Sequence, residues 1–236
     1  MKKIKLFSLL LAFLLIAPVY AEVYTTTEKM SPVKDSYVKF DVADVAVHGG
    51  ETTIVVKYNG SEFNTSSRQG LFEYDFTPYL NDLSKISSLN FCVRASSFYP
   101  STSEPQDLEL KVQKVIGFTF TESQTNDVVS TNYTDAFAVT TEDIGSVPLP
   151  SDKNYTALEF LIPIDVTKVL AGVTAQNPKV VFSIKITSAS SGLSPLSIAS
   201  RENADPSLRP YIQVGLTSVQ PYTVTSISDP IKDTYF

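Results

Sequence analysis

Ser197-Ile198-Ala199-Ser200-Arg201-Glu202-Asn203-Ala204-Asp205-Pro206-Ser207-Leu208-Arg209-Pro210-Tyr211-Ile212-Gln213-Val214 is the stretch whose reading decides the fold. Leu196 and Ile198 alternate with polar neighbours as in a half-buried strand, which runs into the charged pair Arg201-Glu202. Asn203, Asp205, Pro206 and Ser207 are turn formers. Pro210 has no amide hydrogen and holds Arg209 extended, so it suits the first position of a strand, here Tyr211 to Val214. The pattern is two short strands closing a β-domain.

Working outward, the same period of two recurs. Pro32–Val38, Thr52–Tyr58, Gln69–Phe76, Leu89–Arg94, Leu108–Gln113, Ala157–Ile164 and Val180–Ile186 read as strands. Phe72, Tyr74 and Phe76 point one way, with Glu73 and Asp75 opposed. Leu89, Phe91 and Val93 oppose Asn90, Cys92 and Arg94, while Leu108, Leu110 and Val112 oppose Glu109, Lys111 and Gln113. Asn59-Gly60 ends the second strand with a strong turn signal. Thr77-Pro78 and Asp165 to Gly172 read as capped helical turns. Gly117 to Lys153 is more polar and reads as a long connection, with weak strand signals near Val128 and Phe137. Nine or ten short strands and no long amphipathic helix imply an all-β fold. The expected architecture is an antiparallel β-sandwich, jelly-roll-like, with one or two short helical turns.

The chain begins with Lys2, Lys3 and Lys5, then the apolar run Leu6 to Ile16, then Val19-Tyr20-Ala21. Residues 1–21 thus read as a secretory signal peptide, too short for a comfortable membrane span. Residues 22–30 are a polar lead-in, 31–216 the β-sandwich and 217–228 a linker. Asp229-Pro-Ile-Lys-Asp-Thr-Tyr-Phe236 repeats Ser31-Pro-Val-Lys-Asp-Ser-Tyr-Val38 with four identities, as if a second module began there. Tandem modules in a longer chain are therefore expected. The formal charge of −6 becomes about −9 once the first 21 residues leave, which argues against nucleic acid and anionic membranes as partners. One cysteine, Cys92, cannot form an internal disulfide and reads as a semi-buried structural thiol.

Catalytic chemistry is sparse. His48 is the single histidine, in the turn His48-Gly49-Gly50, and no nucleophile motif accompanies it. One His and one Cys without a spacing signature do not make a zinc site. The 25 acidic residues include no pair singled out as a glycosidase dyad. No cofactor is expected beyond a structural calcium, for which Asp35, Asp41 and Asp44 are weak candidates. Arg201 and Glu202 read as a structural ion pair, together with Arg68 or Asp75, because charges leaving water must be paired. Arg94, Lys111, Gln113, Lys185 and Tyr211 point away from their own core rows. They are the candidate polysaccharide-binding residues, cations and amides for carboxylates with Tyr211 as a stacking surface. Asn59, Asn64, Asn132 and Asn154 begin glycosylation sequons.

These landmarks, in order, resemble the DNRLRE domain, also classed as carbohydrate-binding module family 96. The carriers are Asp35-Ser36-Tyr37-Val38, Arg68 ahead of Tyr74-Asp75-Phe76, Asp165-Val166-Thr167, Ser200-Arg201-Glu202, and Arg209-Pro210-Tyr211-Ile212-Gln213-Val214. Tyr74-Asp75-Phe76 departs from the usual Phe-Asp-Leu. The family's Trp-Ser-Glu segment is replaced by Phe118-Thr119-Phe120-Thr121-Glu122-Ser123 in a chain without Trp. The resemblance spans Asp35 to about Leu216. It implies a secreted β-sandwich found beside polysaccharide-degrading or surface domains, some members binding acidic polysaccharide such as alginate. The expected function is a secreted, non-catalytic carbohydrate-binding module, also as the accessory module of a polysaccharide-degrading enzyme. A structural or adhesive spacer of a surface protein is the competing expectation.

Overall fold

The period-two segments become strands paired into two antiparallel sheets. A computed structural model describes residues 22–98, 108–135, 139–149, 158–187 and 194–220. The expected signal peptide, the repeat at 229–236 and Phe137 lie outside the described residues. The strands are β1 (Glu22–Met30), β2 (Lys34–Lys39), β3 (Thr53–Val56), β4 (Arg68–Asp75), β5 (Ile86–Phe98) and β6 (Glu109–Ile116). They continue with β7 (Thr140–Pro148), β8 (Leu158–Ile164), β9 (Lys179–Thr187), β10 (Leu196–Ala199) and β11 (Tyr211–Gln220). Two short helices, α1 (Asn126–Thr134) and α2 (Val166–Leu170), and three 3-10 turns complete the described elements. None of these helices is long and apolar enough to cross a membrane.

One sheet has the order β1-β11-β5-β10-β3, with β8 on the other edge of β5; the other has the order β2-β4-β9-β6-β7. Their facing sides share one apolar core, including Phe72, Tyr74, Phe91, Phe182, Ile54, Ile184, Ile198, Ile212 and Val214. Phe91 packs edge-on against Phe72, Tyr74 and Phe182, with centroids 5.2–6.1 Å apart, the arrangement favoured by the ring quadrupoles. The antiparallel sandwich expected from the alternation is the observed fold.

Register shows how the stretch 197–214 is used. Ile198 lies opposite Ala95 and Tyr211 opposite Cys92, both antiparallel to β5. β10 and β11 are thus successive parts of one strand line along β5, and residues 200–210 leave that line as a loop. Asp205 caps the turn Pro206–Leu208 by accepting from the Ser207 amide at 2.8 Å. The Arg209 guanidinium donates to the Asn203 carbonyl at 2.8 Å.

Two expectations are corrected. The lead-in 22–30 is strand β1, because it pairs with β11, which itself runs to Gln220 into the expected linker. The weak strand signal near Val128 is helix α1. Its buried side chains, Asn126, Val129, Ser130 and Tyr133, recur at three- and four-residue spacing, so the helical period wins over the β-propensity of Val. Val129 and Tyr133 join Phe118 and Phe120 over Val38, Leu71 and Val181 on the outer side of the second sheet, forming a smaller core. β4 is therefore buried on both faces, and Glu73, opposed to the Phe72–Tyr74–Phe76 row, is 3% exposed between Lys34 and Lys179, each 3.2 Å away.

β2 is an edge strand, and side chains cap its free edge. Asn126 Oδ1 accepts from the Lys39 amide at 2.8 Å, while its Nδ2 donates to the carbonyls of Lys39 and Asp41 at 2.8 and 3.2 Å. Asn126→Ala strands these half-buried groups, and urea unfolding should show a loss of about 1–2 kcal/mol. An unchanged midpoint would mean that this edge needs no cap.

Candidate functional site

Each residue of Ser200-Arg201-Glu202 has a separate structural task. The Ser200 hydroxyl, fully buried, donates to the Glu51 carbonyl at 2.6 Å and accepts from the Glu202 amide at 3.1 Å. The Arg201 amide donates to Asp35 Oδ2 at 2.7 Å. Its guanidinium meets Glu202 at 2.6 Å and Glu122 at 2.9 and 3.2 Å, and donates to the Val33 carbonyl at 2.6 Å. Glu122 also accepts from the Asp35 amide at 3.0 Å. One loop of the first sheet is thereby fastened to edge strand β2 of the second. Gly49 permits this arrangement, since a Cβ there would run into the Glu122 backbone.

The expected ion pair Arg201–Glu202 is present, but its third member is Glu122. Arg68 and Asp75 stand at opposite ends of β4 and take no part. Arg68 lies over the Tyr37 ring at 5.9 Å. Asp75 accepts from the Thr77 amide and hydroxyl at 2.8 and 2.6 Å, and the hydroxyl bond first of all holds its carboxyl below the usual range. Sequence reasoning passed over Glu122 because it lies 79 positions from Arg201, and no spacing rule connects such residues.

The calcium candidates also separate. Asp41 and Asp44 both clamp Lys39, at 3.1 and 3.2 Å, whereas Asp35 is 1% exposed and turned inward. Among the described residues, Asp35, Glu122 and Glu202 are the grouping whose carboxylate oxygens lie within 4.8 Å of one another. The Arg201 guanidinium provides positive charge in that grouping, which ties the acids into an ion-pair network. Burial pushes Asp35 up to about 8, opposed by the Arg201 amide and aided by Glu202 and Glu122. His48 stacks on Tyr37 at 4.1 Å and meets Glu51 at 2.6 Å and Asp44 at 3.7 Å, which makes it a packed loop residue. Burial, with Glu51 next, lifts the Tyr37 phenol to about 12.

The five candidate binding residues do not form one surface. Lys111, Gln113 and Lys185 lie on the outer side of the second sheet, with Lys111 directly opposite Lys185. Each is engaged by acid: Asp143 takes Lys111 at 3.0 Å and Gln113 at 2.7 Å, and Glu62 takes Lys185 at 2.9 Å. Arg94 and Tyr211 lie on the outer side of the first sheet, at the other side of the sandwich. The physical reason is strand order, which alternation does not encode.

On that first sheet Leu161, Cys92 and Tyr211 form one row across β8, β5 and β11, and Pro163, Asn90 and Gln213 form the next. Tyr211 donates from its hydroxyl to Glu159 at 3.1 Å, and Arg94 meets the same carboxylate at 3.4 Å. The Lys29 ammonium lies 4.1 Å from the Tyr211 ring centroid, a cation–π contact. Leu161 is 47% exposed. Beneath the face Cys92 is fully buried, and burial pushes its thiol up, so it is an inert packing group, as expected. Beyond Pro210 opens a cleft of about 300 Å³ lined by Ser31, Pro32, Arg201, Glu202, Arg209 and Pro210. Asp205 is held low by the Ser207 bonds first, with Arg94 and Arg209 adding to the effect. An aromatic ring, amides and cations thus adjoin a polar cleft.

The sequence profile of carbohydrate-binding module family 96 matches residues 26–214. No curated protein matches the chain. A solved chain from Desmodium yellow mottle tymovirus aligns with 87% of this chain and 92% of its own length at 14% identity. Its TM-score is 0.20, a level at which the likeness carries no argument.

Arg201→Ala should cost roughly 2 kcal/mol, less than a fully buried pair because the side chain is one-third exposed. A normal thermal melt of that variant would overturn the structural assignment. Asp35 also predicts an unusual pH dependence. Its folded value is raised, so its stabilising contribution is full below about 4 and is lost as pH rises through about 8. Asp41, Asp44, Asp75, Asp143 and Asp205 are all held low and lose their contributions only at the acid end. Asp35→Asn should therefore flatten the fall in stability between pH 5 and 8, by on the order of a kcal/mol per unit at most. Parallel wild-type and variant curves in denaturant titrations across that range would contradict this assignment.

Proposed function

The chain belongs to carbohydrate-binding module family 96, and from that premise we propose that it is a secreted, non-catalytic module for an acidic polysaccharide. The observation that carries this reading is the outer face around Tyr211. A sugar ring would stack on the half-buried Tyr211 ring, while Arg94 and Lys29 offer cations to a carboxylate and Asn90 and Gln213 offer amides to hydroxyls. Glu159 bonds both Arg94 and Tyr211 and fixes their positions before any ligand arrives. Arg209, at the adjoining cleft, adds one more cation beside that face, whereas Arg201 there is already engaged by Glu122 and Glu202. Such a module serves equally as an accessory to a polysaccharide-degrading enzyme.

The second reading, a structural or adhesive spacer, is favoured by the repeat of Ser31–Val38 at Asp229–Phe236. Tandem modules would gain avidity from many weak contacts, so the two readings are compatible in a longer chain. A spacer would bind no glycan.

Affinity electrophoresis on alginate, pectin and neutral glucans separates them. Retardation on the acidic polymers is expected, without release of reducing ends. Arg94→Ala should weaken it about tenfold or more, the worth of one charge-assisted hydrogen bond, and Tyr211→Ala should do likewise. Lys111→Ala, on the opposite sheet, should leave it unchanged. Loss with Lys111→Ala alone would move the site to the other face, and no retardation on any polymer would favour the spacer.

A further inference from the structure

The network fastening loop 200–210 to β2 sets three carboxyl groups, Asp35, Glu122 and Glu202, around one cation, Arg201. Arg201 engages both oxygens of Glu122 and Oε1 of Glu202. Asp35 is 1% exposed and, among the described residues, accepts from the Arg201 backbone amide on Oδ2. Glu202 Oε2 is buried, and no donor among the described residues reaches it. The carboxylate oxygens of Asp35, Glu122 and Glu202 approach within 4.8 Å. A buried acceptor without a donor, beside a buried acid whose one nearby cation is already engaged by two other carboxylates, is resolved by one proton.

We propose that Asp35 and Glu202 share a proton in the folded protein, and that this proton latches the 200–210 loop onto β2, so that the loop loosens when it leaves. The charged and titratable groups facing Asp35 are few. Arg201 and Glu202 come from the loop itself, Glu122 from the segment after β6, and Tyr74 from β4. Lys34, next along β2, bonds Glu73 and the Phe120 carbonyl. The value of about 8 for Asp35 agrees with a proton retained at neutrality.

Loss of the proton leaves three carboxylates around one guanidinium. Glu202 is the acid carried by the loop itself, and its departure removes one of the two carboxylates holding Arg201. The cleft lined by Arg201, Glu202 and Arg209 changes shape in the same step. The latch is thus closed in mildly acid and neutral surroundings and open in alkaline ones.

Carbon-13 NMR of the side-chain carboxyls, on the chain from residue 22 to 236, tests the proton directly. One aspartate carboxyl should titrate near pH 8, and its signal should vanish in Asp35→Asn. Amide exchange in residues 200–210, corrected for intrinsic rates, should rise about tenfold between pH 7 and 9 in the wild type and stay level in Asp35→Asn. Glu202→Gln, which keeps an acceptor but removes a charge, should move the titration toward acid. An Asp35 carboxyl already ionised at pH 6 overturns the shared proton, and this readout stands even if a variant fails to fold. Loop exchange that is the same at pH 7 and 9 in the wild type overturns the latch.

Discussion

The Arg201 guanidinium, set among Glu122, Glu202 and the buried Asp35, is the contact on which the closure of this sandwich depends. The apolar core drives the two sheets together, but burial is non-directional and does not say where an edge strand stops or which register it takes. The charge network supplies that direction. Its members come from β2, from the segment after β6 and from the loop between β10 and β11. A one-residue slip of β2 would turn Asp35 away from Arg201 and Tyr37 away from the core, so the network and the core enforce the same register.

The same geometry explains why a loop interrupts one strand line. β10 and β11 are both antiparallel to β5, and only a short stretch of β5 separates their pairings. A continuous strand would satisfy the backbone but would leave Asp35 and the β2 edge without partners. The excursion 200–210 reaches them and then returns through Pro210, whose missing amide suits re-entry into the sheet. Asp205, Asn203 and Arg209 hold the loop together internally, so it approaches β2 already shaped.

Alternation made β2 to β6, β8 and β9 legible, because a core on one side imposes period two directly on the residues. α2 was legible through Asp165, which accepts from the Lys168 amide at 3.1 Å, and through Gly172 in the left-handed region at φ 80°. The buried stripe of α1 was available in the spacing of Asn126, Val129, Ser130 and Tyr133, but half of that stripe is polar, so hydropathy hid it. β1 was hidden for another reason: its exposed, threonine-rich residues are held by a neighbour almost two hundred positions away. The polar network was the least legible. Asp35, Glu122 and Glu202 are ordinary acids locally, and only the folded chain makes them neighbours.

The candidate binding face shows the same division between local and distant information. Period two identified Arg94, Lys111, Lys185 and Tyr211 as outward-pointing, and each does point outward. Which sheet each strand joins is settled by pairings that no single strand carries, and those pairings placed Lys111 and Lys185 side by side against Asp143 and Glu62. Net charge is a poor guide to what such a face attracts. At physiological ionic strength, fields fade over about 8 Å, so under the proposed function a ligand at Tyr211 would respond to Lys29, Arg94 and Glu159 more than to the acids elsewhere on the chain. Under the proposed function, a carboxylated sugar approaching Arg94 would share that cation with Glu159, and a ring stacked on Tyr211 would hold it there while the exchange of partners takes place. An acidic protein and an acidic ligand are compatible when the cations are local and their own acid is only a partial partner.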